Sequence, residues 1–128
     1  MNNTYTVGES TNQITLSIKV GTVGVAYTSV YFEGKPKIAE SNTASGGSVA
    51  TVIENANKLK NEWLSIHTAI DLTLIEATVR TNAINNIKIT YRMEGGQSGR
   101  QDFTFSPTDI IKRLNGKNVL IVKSIQLI

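Results

Sequence analysis

Few side chains in this sequence could do chemistry. His67 is the sole histidine, Trp63 the sole tryptophan, and cysteine is absent. Without cysteine there is no thiolate ligand, thiol nucleophile or disulfide. A single histidine with no carboxylates at ligating spacing does not make a zinc site. No nucleophile elbow accompanies it, so a serine triad fails as well. By alternation His67 points away from the Leu64 and Ile66 side, toward solvent or a partner. Carboxylates paired for glycoside hydrolysis would have to be assembled by the fold. Asp71 and Glu76 are close in sequence, whereas Glu33, Glu40, Glu94 and Asp102 flank turns. Acids in turns ordinarily face water or bond the backbone.

Two glycine-rich stretches invite a phosphate reading. Gly95-Gly96-Gln97-Ser98-Gly99-Arg100 lacks the wider spacing, the Lys-Ser/Thr pair and the following helix of a phosphate loop, and strands flank it, so it reads as a hairpin turn. Ser45-Gly46-Gly47-Ser48 precedes a segment with helical spacing, where free amides would attract an anion. Trp63 falls just before a strand, where its ring can stack on a sugar, with Tyr27, Tyr31 and Tyr91 as companions. At 6% aromatic residues such a platform is poorly supplied, and packing is the simpler role. The expected interaction surface is Trp63, His67, Ser45, Gly46 and Gly47. No catalytic residue, metal ligand or cofactor site is expected.

These residues must be positioned by strands. Ile14, Leu16, Ile18 and Val20 alternate with polar residues, and Val25–Phe32 resumes after Gly21-Thr22-Val23-Gly24, which reads as a hairpin. The 35–48 stretch, with Pro36 and a Ser/Asn/Gly-rich run, reads as a long mobile loop. Val49, Val52, Ile53, Ala56 and Leu59 suit a helical turn capped by Ser48, although the β-branched residues suit a strand equally. Leu64 to Leu74 alternates, and the apolar parity then shifts at Ile75, Ala77 and Val79, as a bulge or bend would cause. Ile87 to Met93 and Phe103 to Phe105 form a further strand pair. Ser106-Pro107-Thr108-Asp109 opens a short helix that Asn115-Gly116 ends. Val119–Ile128 is a closing strand inside a sheet.

The halves also resemble each other. Residues 12–20 match 85–93, Val30-Tyr31-Phe32 matches Phe103-Thr104-Phe105, and 59–66 matches 114–121. The offset falls from 73 to 55, leaving the first copy 18 residues longer, mostly through the loop. One such half cannot cover its apolar face, but two can. The expectation is therefore a single mainly-β domain over 1–128, an antiparallel sandwich or flattened barrel with one or two short helices. Its pseudo-repeated β-β-(α)-β halves would span about 12–74 and 85–128.

Apolar content of 40% with 18% charged residues excludes a disordered chain. The formal charge of +3 is too small and too scattered to imply nucleic acid. The excess lies after Leu64, with eight basic against five acidic residues there and five of each before it. No apolar run approaches the roughly 20 residues that span a bilayer. The opening Met1-Asn2-Asn3-Thr4-Tyr5 has no secretory pattern, which reads as cytoplasmic if Met1 is the native start and as secreted if a signal was removed. Asn2-Asn3-Thr4 fits a glycosylation sequon, a pattern frequent by chance. The function expected is that of a non-enzymatic structural or assembly protein, a subunit of a homo-oligomer or a larger complex with other proteins. The alternative is a carbohydrate- or peptide-binding β-sandwich module.

Overall fold

A computed structural model describes residues 3–128. Met1 and the sequon residue Asn2 lie outside the described residues. Two sheets pack face to face. The six-stranded sheet runs β1 (Thr4–Tyr5), β10 (Asn118–Leu127), β6 (Trp63–Asp71), β3 (Val25–Phe32), β4 (Lys37–Glu40), with β9 (Ile110–Arg113) also on β10. The four-stranded sheet runs β5 (Val49–Asn55), β2 (Gln13–Gly21), β7 (Lys88–Glu94), β8 (Gln101–Phe103). One short helix, α1 (Arg80–Asn85), and four 3-10 turns complete the β-sandwich. Among the described residues no helix is long and apolar enough to cross a membrane.

Alternation sets the core. Ile14, Leu16 and Ile18 of β2 and Ile89, Tyr91 and Met93 of β7 point inward, against Leu64, Ile66 and Ile70 of β6 and Val119, Ile121 and Ile125 of β10. Each such aliphatic side chain contributes about 1.5–3 kcal/mol by leaving water. A polar thread crosses this interior. The Thr28 and Thr68 hydroxyls hydrogen-bond to each other at 3.0 Å, and Lys123 is buried on the same side of β10, opposite Ile66.

The structure corrects several local expectations. Gly21–Gly24 is not a hairpin turn, because β2 and β3 lie in different sheets and the segment crosses the end of the sandwich. It crosses tightly: a Cβ on Gly24 would lie 2.7 Å from Ile70 Cγ2 and Leu72 Cδ2 and 2.8 Å from the Asp71 carbonyl oxygen. Gly24→Ala should therefore cost about 2–3 kcal/mol through overpacking. A denaturant melt reads this as a lowered midpoint with unchanged slope.

The 35–48 stretch is not all loop, since Lys37–Glu40 pairs with β3 as an edge strand, with a register shift between Val30 and Tyr31. Its four residues are too few to show a period. Val49–Asn55 is strand, and only Ala56–Lys58 makes one 3-10 turn, so the β-branched residues outweighed the helical spacing. The parity shift after Leu74 is not a bulge. β6 stops at Asp71, whose carboxylate accepts from the Thr73 amide at 2.8 Å, and the chain then coils through Ala77–Val79 into α1. The Ser106 start signal yields one 3-10 turn, Pro107–Asp109, with a complete capping box. The helix goes no further because Ile110 and Ile111 pair with β10 as β9.

The repeat blocks meet in an instructive way. β2 and β7 are antiparallel neighbours at the centre of one sheet, and β6 and β10 are antiparallel neighbours within the other. The matched residues Ile18 and Tyr91 stand directly opposite each other. The match of Val30-Tyr31-Phe32 with Phe103-Thr104-Phe105 does not carry over. β3 belongs to the larger sheet and β8 to the smaller, where β7 and β8 form a true hairpin.

Candidate interaction face

Cross-strand register fixes which side chains share the outer face of the larger sheet. Tyr27 of β3 stands opposite Ala69 of β6, Ala69 opposite Leu120 of β10, and Leu120 opposite Ile111 of β9. The next row is Ser29, His67 and Val122, and the following one Tyr31, Ser65 and Ser124. Trp63 closes the face opposite Gln126. Val25, Tyr27, Trp63 and Ile111 are 69%, 43%, 40% and 43% exposed. Charges sit only at the margins, on Asp71, Arg113, Lys37 and Glu40.

The smaller sheet presents the opposite character. Its outer face carries Gln13, Ser17, Lys19, Lys88, Thr90, Arg92, Glu94 and Asp102, with Val52 the large apolar exception. Arg92 donates to the Asp102 carboxylate at 2.9 Å, which holds that acid below the usual carboxylate range. The smaller sheet thus has a solvated exterior, whereas the larger is apolar along the Tyr27, Ala69, Leu120 and Ile111 row and carries hydroxyls and His67 beyond it.

Details of the apolar face fix its side chains in place. His67 Nε2 lies 2.9 Å from Ser65 Oγ, and the Tyr31 ring tilts over the imidazole at 5.1 Å between centroids. The Tyr27 hydroxyl donates to the Glu40 carboxylate, which also pairs with the Lys37 ammonium. Each charge holds the other in its ionised form. The Glu40 hydrogen bond raises the Lys37 pKa, and the Lys37 hydrogen bond lowers that of Glu40. Tyr27 is thereby tethered to β4. A cleft of about 620 Å³ opens here over Val25, Tyr27, Ala69, Leu114 and Leu120. A second, of about 540 Å³, shares Val25 and Tyr27 and extends to Ser41–Thr43.

Trp63 and His67 fall on this one face, two positions apart along the alternation. Ser45, Gly46 and Gly47 do not join them. A strand follows these residues instead of a helix, which removes the ring of free amides that an anion would need. Their polar groups are occupied locally: Ser45 Oγ donates to the Asn42 carbonyl at 2.9 Å, and the Ser48 amide to the Ser45 carbonyl at 3.1 Å. Gly47, with φ +89°, packs on Ala26, whose side chain belongs to the face of β3 opposite Tyr27. Val25, Ile111 and Leu120 escaped the sequence reading. Their signal was apolar residues at both parities, as in Val25-Ala26-Tyr27 and Val119-Leu120-Ile121-Val122, the pattern of strands covered on both sides.

Two further hollows complete the surface. Trp63 borders a polar cleft of about 530 Å³ with Glu33, Asn61, Glu62 and Ser124. Another, of about 590 Å³, lies between α1 and the Gly21–Val23 crossing, with Lys88 its only ionisable lining residue. A comparison with known protein families, with curated proteins and with solved structures found no significant match to this chain.

Proposed function

We propose that this chain is a non-enzymatic structural or assembly protein that associates with copies of itself through the outer face of its larger sheet. The carrying observation is the asymmetry of the two exteriors, with Val25, Tyr27, Trp63, Ile111 and Leu120 on one and a charged, hydroxylated surface on the other. The apolar row of Tyr27, Ala69, Leu120 and Ile111, with Val25 beside it, favours burial against a partner, and Trp63 stands apart from it beyond His67 and Ser65. Of the edge strands, β4, β8 and β9 have four, three and four residues and offer short templates, while the seven-residue β5 is the one longer edge. A face-to-face contact between two copies would repeat the apolar packing that already closes the sandwich. Light scattering coupled to size-exclusion chromatography tests this: the mass should rise above the 13.9 kDa of one chain as loading concentration increases. A mass fixed at one chain throughout would remove the proposal.

The cleft beside Trp63 favours a second reading, a carbohydrate-binding module. One exposed indole next to Glu33, Asn61, Glu62 and Ser124 supplies a stacking surface and hydrogen-bonding groups together. On this reading Trp63→Ala should weaken binding on a glycan array at least about tenfold, the loss of about 1.4 kcal/mol. Binding that survives the change would rule out stacking.

A further inference from the structure

The most unusual group in the core is Lys123. Its side chain is 1% exposed, on the inward face of β10 between Ile121 and Ile125. No ion pair compensates it among the described residues. Its Nζ instead donates to the Asn3 side-chain Oδ1 at 2.6 Å. Asn3 is held there by the backbone, since its carbonyl accepts from the Gln126 amide at 2.8 Å and the next residues pair parallel with β10, Thr4 with Gln126 and Tyr5 with Leu127. The last strand and the residue just before the first therefore present an amine and a carboxamide to each other.

We propose that Lys123 and Asn3 join covalently, as an intramolecular isopeptide bond between Nζ and the Asn3 side-chain carbon. The amine lone pair attacks Cγ, the bond from Cγ to the amide nitrogen breaks, and that nitrogen leaves as ammonia. No electrons are exchanged and no outside reagent is consumed. The attack needs an uncharged amine, and burial shifts Lys123 in that direction, opposed by the charge of Asp109. Asp109, whose turn packs on β10, is the group assigned to carry the proton from the attacking amine to the departing nitrogen. Its carboxylate acts electrostatically on both Lys123 and the buried Tyr91 hydroxyl. It is held in place by the Ser106 amide at 2.8 Å and Ser106 Oγ at 3.3 Å, and its 3-10 turn packs on β10. Asn3 itself is exposed, which leaves ammonia a route out. The product would tie the start of the chain to its final strand.

The test is the intact mass of the purified, denatured full chain, followed by fragmentation of its proteolytic peptides. The wild-type chain should be lighter than its sequence by one ammonia, and fragmentation should give one branched peptide joining Asn3 to Lys123. Asn3→Ala and Asp109→Asn should both run at full sequence mass. A wild-type chain at full mass, with Lys123 open to amine acetylation after unfolding, would overturn the bond. So would an ammonia loss that maps to a succinimide within a single linear peptide. An Asp109→Asn chain that still carries the branched peptide would overturn the role given to Asp109.

Discussion

Gly95→Ala is expected to remove much of the stability of this domain. Gly95 has φ +101°, and a Cβ there would lie 2.1 Å from the Gln13 carbonyl oxygen and 3.1 Å from its carbon. The obstacle is backbone of the central strand β2, which cannot swing aside as a flexible side chain would. Forcing a non-glycine residue into that conformation costs about 1–3 kcal/mol. Relieving the overlap costs roughly as much again. A total of about 4 kcal/mol is a large share of the roughly 5–15 kcal/mol that holds an ordinary domain together. The midpoint of thermal unfolding should fall by about 10–20 °C. Gly34→Ala is the control: its φ is +76°, but a Cβ there would meet nothing within 4 Å. Only the conformational cost of about 1 kcal/mol should remain. Equal losses at the two sites would show that contact with β2 is not what requires glycine at Gly95.

The second large effect is expected at Leu120→Asp. Leu120 lies at the middle of the apolar face, opposite Ala69 on one side and Ile111 on the other, and points away from the core. Leu120 is partly covered in the single chain, so the carboxylate costs some stability there, but its outward direction keeps water within reach. In a face-to-face assembly it would be buried without a partner charge, which is strongly unfavourable. Self-association should weaken at least about 100-fold, or about 2.7 kcal/mol, as read by sedimentation equilibrium. Ser17→Asp, on the solvated face of the other sheet, should leave association unchanged. Circular dichroism of both variants separates loss of assembly from loss of fold.

What alternation could reveal, it revealed well. Ile14–Ile18, Leu64–Ile70, Ile87–Met93 and Val119–Leu127 carry the period of half-buried strands, and they are the central strands of the two sheets. Sheet membership is a different matter. Gly21-Thr22-Val23-Gly24 has the length and composition of a hairpin turn, and only its packing against Ile70 and Leu72 makes it a crossing. That contact joins residues distant in sequence. Strands as short as β4 and β9 hold too few residues for a period, and α1 buries a single side chain, Ile84, so no apolar stripe announces it. The same limit applies to the candidate face. His67 and Trp63 share a parity and were legible together. Their neighbourhood of Tyr27, Ile111 and Leu120 depends on a register between strands that local sequence does not encode. The glycines of Ser45–Gly47 resemble an anion cradle in sequence, but a strand follows them, and Gly47 turns the chain closely past Ala26.

The central claim is that the apolar exterior of the larger sheet meets another copy of the chain. Hydroxyl-radical footprinting at low and high protein concentration addresses it residue by residue. Tyr27, Trp63 and Leu120 should lose reactivity as concentration rises, while Val52 on the opposite exterior keeps its own. Unchanged reactivity at all three, or protection confined to the Val52 side, would contradict the account.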